Sequence, residues 1–523
     1  MAFPEWTEMQ VDDRDAIQYL RLNELRDSIN EILFPYLTTI TPYFRMVSWL
    51  TWIFARLEYE RIHSSEMSLR DYVNRALRYY GIFAVADVLL AQSIEDEHRG
   101  PIGVLAIKGR LAELESENID FNHPTFRRPL DPTGIYKSSL VSMGLFGEKQ
   151  QPISSRRYQP ILIPTEEGLE LADVFESKWR KTAAPSRLTA KTVWKKTQLV
   201  KLGKSINLQG LSSKDKESKL LLNAARSSIR NPTLYDDFVD IVTRTAEKCS
   251  KIDIYISSAD IAKSALYRKL RIEDTNRLID ISLENSQATA ILAYHELHTH
   301  MSYGADAILD GLANLARESS TGISIRETIK KANRVFKKKV GSPHKKESIA
   351  VLFRSIEKTF SKDKGPFQRG YPKIWGKLGF EKIQEEISES ESNHEQIALG
   401  TIALLQSAAC QSLFNPKWLL KVLPHHRDVF SAYTLLEEYE ALPSGADSYD
   451  WIKSSVELIT QKHDEVATSK GPYAKRVDLI GDKLFYRAEA DFNVQRGRLT
   501  NAVLWLSDVG LLKGNQGLFT IGD

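Results

Sequence analysis

Three histidines form the most metal-like cluster in the sequence: His295, His298 and His300, with Glu296 beside the first. In zinc peptidases two histidines lie four residues apart on a helix, so that both imidazoles face one metal ion. Here Thr299 occupies that fourth position, and His300 points about 140° away from His295 at roughly 100° per residue. His295 and His298 share a helical face, but no third ligand is identifiable. We therefore predict structural histidines, no metal and no cofactor, and retain a metal-dependent enzyme using His295 and His298 as an alternative.

Signals for other catalytic chemistry are weak. The sequence has no Gly-x-Ser-x-Gly motif, and neither Cys249 nor Cys410 has a histidine near it in sequence. The adjacent acids Asp236 and Asp237 fit a helix start better than a nuclease site, which needs a sheet. These observations predict a protein that is not an enzyme.

Two segments concentrate positive charge in a chain whose net charge is only +3. Residues 180–219 hold eleven lysines and arginines against Asp215 and Glu217. A second basic run has no acid within it and predicts a helix with a basic face: Lys330, Lys331, Arg334, Lys337, Lys338, Lys339, Lys345 and Lys346. Clustered cations release counterions from duplex DNA without reading its sequence. We select Lys195, Lys196, Lys337, Lys338 and Lys339 as candidate DNA contacts, and a solvated linker or arm remains the alternative for the first run.

Residues 136–179 have the element order of a winged helix, which would position such contacts. Tyr136, Leu140 and Met143 share one helical face, and Gly144 can adopt the positive φ that ends a helix. A short hairpin is predicted next. Thr165 is predicted to cap a second helix with a buried face formed by Leu171, Ala172, Phe175 and Trp179. The helix and the wing offer DNA the side chains of Lys137, Ser138, Arg156 and Arg157.

The C-terminal segment repeats this pattern. Val509-Gly510-Leu511-Leu512 echoes Met143-Gly144-Leu145-Phe146, and a turn at 514–517 predicts a second hairpin. The preceding helix offers Arg498, Asn501, Trp505 and Asp508. An exposed indole suits a protein interface, and a carboxylate repels phosphate, so Arg498, Asn501 and Trp505 are predicted to bind a protein partner. For both modules, packing against the helical body of the protein is the alternative.

The sequence as a whole predicts a mainly α protein. Several domains are expected, because 523 residues exceed the usual size of one core. The predicted divisions are a helical domain (1–130), a winged helix (131–180), a basic linker or arm (181–230), a helical middle domain (231–470) and a C-terminal winged helix (471–523). The apolar stretch 32–54 is interrupted by Pro35, Pro42 and Arg45, so we expect no membrane partner. Two unpaired cysteines and no signal peptide fit the cytoplasm.

This layout, together with the aromatic segment from Phe34 to Trp52, resembles the kleisin-like accessory subunits of SMC-type ATPases. More narrowly it is similar to the accessory subunits of Lamassu, or Ddm, defence systems. The helical middle differs from ordinary kleisins, whose middle is a flexible linker. The resemblance implies a non-catalytic subunit of a bacterial antiphage or antiplasmid complex, with an SMC-like ATPase dimer and an effector nuclease as partners, that helps to sense double-stranded DNA. A stand-alone winged-helix DNA-binding regulator is the alternative.

Overall fold

The structure is a computed structural model and describes residues 20, 22–37, 43–63, 67–94, 101, 103–114, 116–122, 132–154, 157–190, 192–267, 269–271, 278–281, 283, 286–341, 348–361, 380–412, 414, 421–423, 429–470, 475–487, 498–515 and 518–522. The protein is mainly helical, as predicted.

The helices of the described residues are numbered in chain order. They are α1 (Leu22–Leu33), α2 (Arg45–His63), α3 (Leu69–Ser93), α4 (Val104–Glu113), α5 (Pro132–Ser142), α6 (Glu166–Trp179), α7 (Pro185–Ala190), α8 (Lys196–Ile206), α9 (Lys216–Ser228), α10 (Pro232–Ser250), α11 (Ser258–Tyr267), α12 (Gln287–Arg317), α13 (Ile325–Val340), α14 (Ile349–Ser361), α15 (Phe380–Ser388), α16 (Asn393–Gln411), α17 (Ala432–Glu440), α18 (Ser448–Lys470) and α19 (Arg498–Asp508).

The strands of the described residues pair in small antiparallel sheets. They are β1 (Asn118–Asp120), β2 (Phe146–Ser154), β3 (Arg157–Pro164), β4 (Val193–Lys195), β5 (Lys269–Arg271), β6 (Leu278–Asp280), β7 (Ile323–Ser324), β8 (Val477–Ile480), β9 (Lys483–Tyr486), β10 (Leu512–Asn515) and β11 (Leu518–Ile521). Four sheets have two strands, β1-β4, β2-β3, β5-β6 and β10-β11, and a fifth has the order β7-β9-β8.

The chain forms two compact units, each built from two separated stretches. Unit 1 comprises Met1–Ile29 and Ala262–Arg496, and unit 2 comprises Asn30–Ile261 and Gly497–Asp523. This grouping differs from the five consecutive segments that the sequence predicted. The predicted module at 471–523 is divided, because β8 and β9 pair with β7 in unit 1, whereas α19, β10 and β11 belong to unit 2.

The core of unit 2 is organised around the aromatic helix α2. The Trp52 ring lies 4.8 Å from the Trp179 ring and 5.4 Å from the Phe83 ring. A buried ion pair crosses the same region, with Arg45 Nε 3.1 Å from Glu217 Oε1. Arg45 also donates to the carbonyl oxygen of Asn207 at 2.6 Å. These contacts fix α2 against α6, α8 and α9.

The sequence echo at Gly144 and Gly510 corresponds to the same helix ending in both places. Both glycines have positive φ, +68° at Gly144 and +77° at Gly510. The next residue in each case donates its backbone N–H to a carbonyl five residues back, Leu145 to Leu140 at 3.1 Å and Leu511 to Leu506 at 3.0 Å. This is the Schellman arrangement, in which a left-handed glycine lets the chain leave the helix with its last carbonyls satisfied. Each helix is then followed by a hairpin, β2-β3 or β10-β11.

The predicted cap and buried face of α6 are confirmed. The hydroxyl of Thr165 accepts the backbone N–H of Gly168 at 3.1 Å, and the face is buried at Leu171, Ala172, Phe175 and Trp179.

Residues 181–230, predicted as a basic linker or arm, instead form three helices, α7, α8 and α9. Apolar residues lie between the lysines at helical spacing and are buried, among them Leu199, Leu202 and Leu221. The lysine-rich composition therefore describes only the outer side of packed helices.

Unit 1 is built on the antiparallel crossing of α12 and α16. Glycines allow the close approach: a Cβ at Gly400 would lie 2.5 Å from the carbonyl oxygen of Gly304. Trp451 of α18 donates its indole N–H to the carbonyl oxygen of Thr401 at 3.0 Å, which holds α18 against α16.

Candidate nucleic-acid interface

The predicted recognition helix α5 buries Tyr136, Ser139 and Leu140. Of its two selected residues, Ser138 is exposed, but the Lys137 ammonium lies 3.0 Å from Glu148 Oε1 on β2. Lys137 therefore ties the helix to its own hairpin. Arg156 lies outside the described residues, and so does the side chain of Arg157.

The prediction that α19 exposes Trp505 to a protein partner is wrong. Trp505 is 1% exposed and stacks on Phe44, with ring centroids 4.2 Å apart. Asn501 is buried, Arg498 is half-buried, and Asp508 accepts the Phe44 backbone N–H at 2.7 Å. The large apolar area of the indole is satisfied within unit 2 by aromatic residues more than 400 positions away in sequence, which no local pattern could indicate.

The selected pair Lys195 and Lys196 is divided between two roles. Lys195 is exposed at the end of β4. Lys196 donates from Nζ to the carbonyl oxygen of Leu114 at 3.1 Å, which holds α8 to the end of α4. Only Lys195 is therefore available to a ligand.

The most basic helix in the structure is α13. Its buried side contains Thr328, Ile329, Ala332, Phe336 and Val340. Ser324 caps its first turn by accepting the Glu327 N–H at 3.4 Å, and Gly341, with φ of 72°, ends it. The helix contains seven lysines and arginines and one carboxylate, a net charge of +6 in a chain whose total is +3. The rest of the chain is therefore net acidic.

Four cations of α13 are exposed and have no ion-pair partner within the part of the chain that the structure describes: Arg326, Lys331, Arg334 and Lys338. Lys331, Arg334 and Lys338 follow one another at intervals of three and four residues, so their side chains are neighbours on one helical face. Arg326 lies eight residues before Arg334 and about 80° round the helix from it, so the four side chains spread over one broad side of α13 that is about 18 Å long at 1.5 Å per residue. These four residues are named the α13 face.

The other lysines of α13 are held by carboxylates. Lys330 lies 2.7 Å from Glu327, and Lys337 lies 3.6 Å from Asp447. Lys339 is 2.7 Å from Glu386 and 2.5 Å from a second carboxylate on α16. Burial lowers the pKa of Lys339, but its hydrogen bonds to both carboxylates outweigh that effect and raise it. Of the three selected lysines, Lys338 alone belongs to the α13 face.

Sequence reasoning placed Lys331 and Arg334 in a basic run but did not select them, and it missed Arg326. The usable signal was their position on the helix, opposite the apolar stripe, rather than the density of lysine.

The field of this face reaches His394 on α16, where burial and the charge of Lys331 lower the imidazole pKa.

The histidines of α12 lie in the interior of unit 1 and do not converge. His298 Nε2 donates to the carbonyl oxygen of Leu22 at 2.6 Å, since a carbonyl can only accept. His300 Nε2 lies 3.1 Å from Gln406 Oε1 on α16. Within the described ranges no group of three or more His, Cys, Asp or Glu side chains is placed to hold a metal ion.

Comparison of the chain with protein-family models, curated proteins and solved structures gives no match. No described helix combines the length and the apolar character that crossing a membrane requires.

Proposed function

We propose that the protein is a non-catalytic subunit that binds double-stranded DNA without sequence preference, and that the α13 face is its main contact with the phosphate backbone. The observation that carries the proposal is the set of four exposed cations on one helix that have no ion-pair partner among the described residues: Arg326, Lys331, Arg334 and Lys338. Duplex DNA presents a dense row of phosphates, and a cationic helix face displaces their counterions.

The side chains of α13 favour backbone contact over base reading. Its aromatic residue, Phe336, is buried, so the helix offers no platform on which an unpaired base could stack. Its amide side chain, Asn333, accepts the hydroxyl of Ser448 at 2.6 Å and is engaged within unit 1. Lysines and arginines that contact phosphates position a protein on DNA but do not specify sequence.

The cellular role follows from the resemblance of the layout to kleisin-like subunits. In this proposal the protein acts in the bacterial cytoplasm beside an SMC-like ATPase dimer and an effector nuclease, in Lamassu-type defence against phages or plasmids. The segments α5-β2-β3-α6 and α19-β10-β11 serve as winged-helix modules. Because α19 is mostly buried and α5 buries Tyr136, Ser139 and Leu140, their function in this proposal is to build unit 2 rather than to read a groove.

The direct test is binding of a labelled DNA duplex, measured by fluorescence anisotropy over a range of salt concentrations. Four phosphate contacts predict a slope of log affinity against log salt of roughly −3 to −4, at about 0.9 per contact. Lys331→Glu/Arg334→Glu should weaken binding several-fold and reduce the slope by about 2. Two unrelated duplex sequences should bind equally.

The matched control is Arg354→Glu/Lys358→Glu, which reverses one arginine and one lysine exposed on α14 of the same unit. It should bind DNA with nearly the native affinity. Equal binding by the two double variants would overturn the assignment of the α13 face. Co-purification from the native host tests the cellular role, and a protein recovered without an SMC-like ATPase would overturn that role alone.

A further inference from the structure

A second group of exposed cations lies in unit 2, around the C-terminal end of α8. Lys181, Lys201 and Lys204 are exposed, and the side chain of Arg180 is 73% exposed. These four residues are named the α8 cluster. They come from two parts of the basic run at 180–219.

The fold brings these two segments together. Arg180 and Lys181 directly follow α6, and the next residue, Thr182, places its hydroxyl 3.5 Å from the hydroxyl of Ser205. Lys204 precedes Ser205, and Lys201 lies one helical turn before Lys204 on the same side of α8. The opposite side of α8 is buried, at Leu199, Leu202 and Ile206.

Carboxylates are scarce in this cluster. Helix α8 contains no acidic residue. Glu176 lies 3.9 Å from Arg180, and among the described residues Lys181, Lys201 and Lys204 have no ion-pair partner. The cluster therefore presents nearly uncompensated positive charge.

Cations near the end of a helix often stabilise its last carbonyl groups, but that role is already filled here. The guanidinium of Arg45 donates to the carbonyl oxygens of Ser205 at 3.0 Å and Asn207 at 2.6 Å. The indole of Trp49 donates to that of Ile206 at 2.9 Å. Lys201 and Lys204 are not needed to cap α8, so both ammonium groups are available to an external ligand.

The chemistry of the surface identifies that partner as a polyanion. The exposed side chains of α8 are Thr197, Lys201 and Lys204, which supply hydroxyl and ammonium donors. A protein interface is built on aromatic or aliphatic anchors, and α8 has no exposed residue of either kind. Phosphate oxygens are bound by such ammonium, guanidinium and hydroxyl groups.

We infer that the α8 cluster is a second contact for the phosphate backbone of duplex DNA, carried by unit 2. The inference rests on the proposed function for its ligand class, but it uses separate residues on a separate unit. Each unit then binds DNA through its own basic surface, so the affinity of the full chain depends on both.

The test uses the full chain with Lys201→Glu/Lys204→Glu, and the matched control Lys248→Glu/Lys251→Glu reverses two lysines exposed at the end of α10 in the same unit. Binding of the labelled duplex should weaken several-fold in the α8 variant, with a salt slope lower by about 2. The control should keep the native affinity. Acetylation of surface lysines, read by mass spectrometry, should show Lys201 and Lys204 protected when duplex is added.

The outcomes separate this inference from the proposed function. If the α8 variant binds like its control while Lys331→Glu/Arg334→Glu binds weakly, the second site is refuted and the α13 face stands. If neither variant weakens binding, both assignments are overturned. The α8 cluster would also be refuted as a contact if the variant lost affinity while duplex left the acetylation of Lys201 and Lys204 in the unsubstituted protein unchanged. That result would show an indirect effect of the substitutions. Equal thermal melting of each variant and its control verifies folding.

Discussion

Acidification from about pH 7 to about pH 5 should destabilise unit 1 well before unit 2. The perturbation acts on buried imidazoles, of which His463 on α18 is the clearest. Its Nε2 accepts the backbone N–H of Arg476 at 2.8 Å, which requires an unprotonated nitrogen. Burial lowers the pKa of His463 to about 4, and protonation would replace the acceptor by a second donor.

Two more histidines of unit 1 behave in the same way. Burial lowers the pKa of His298 to about 4 and that of His300 to about 3. In the unfolded chain a histidine has a pKa of about 6.5, so the unfolded state binds more protons throughout this interval. The stabilisation is therefore present above about pH 6.5 and is lost as the pH falls toward 4.

The magnitude follows from these values. Each histidine that stays neutral in the folded state lowers the free energy of unfolding by about 2 kcal/mol between about pH 7 and about pH 5. Three such histidines lower it by about 6 kcal/mol. Asp306 has the opposite effect, because burial raises its pKa to about 7. Its protonation in the folded state raises the free energy of unfolding by about 2 kcal/mol over the same interval. The net loss of about 4 kcal/mol is a large fraction of the 5 to 15 kcal/mol that typically stabilise a domain.

Unit 2 lacks a comparable group among its described residues. The pKa of Asp215 is lowered, because hydrogen bonding from the Ser212 backbone and the charge of Lys178 outweigh the effect of burial. The Arg226 guanidinium lowers the pKa of Asp236 through a hydrogen bond. Stability from such carboxylates is present above the unfolded pKa near 4 and is lost only below it.

Hydrogen exchange measured by mass spectrometry at stepped pH, corrected for intrinsic rates, resolves the two units. Peptides from α12 and α18 should lose protection at about pH 5, while peptides from α2 and α8 keep it. His463→Gln supplies an uncharged acceptor and should remove about 2 kcal/mol of the pH dependence. His63→Gln, at an exposed histidine of unit 2, is the control. Simultaneous loss of protection in both units, or an unchanged pH dependence in His463→Gln, would refute the reasoning.

Three further predictions concern the folding of each unit. Glu217→Ala leaves the Arg45 guanidinium buried without its carboxylate partner at 3.1 Å. Urea titration should therefore show a free energy of unfolding lower by about 3 to 5 kcal/mol. The double variant Arg45→Met/Glu217→Leu should lower it much less, because it leaves no buried charge. Gly400→Val should lower the melting temperature of unit 1, because its Cβ would lie 2.5 Å from a carbonyl oxygen of α12. Gly109→Ala, with nothing within 4 Å of its Cβ, should instead be neutral or stabilise by about 0.5 to 1 kcal/mol. Trp505→Ala should cost about 3 to 5 kcal/mol in chemical denaturation, and native-like stability would contradict the burial of its indole.

Local chemistry was readable from the sequence wherever one element decided it. The cap at Thr165, the buried face of α6 and the glycine ends at Gly144 and Gly510 all follow from short-range spacing. The basic helix α13 was also predicted, because a run of charged residues keeps its character whatever surrounds it. A winged-helix interpretation of the two echoed segments stays a prediction.

Which side chains are available to a ligand was decided by the tertiary structure. Lys339 and Lys338 are adjacent and alike in sequence, yet Lys339 is held by Glu386 from another helix and Lys338 is exposed. Trp505 seemed suited to a partner, but residues hundreds of positions away bury it. Periodicity assigns each residue to a side of its own helix, whereas pairing and burial depend on what a distant segment brings to that side.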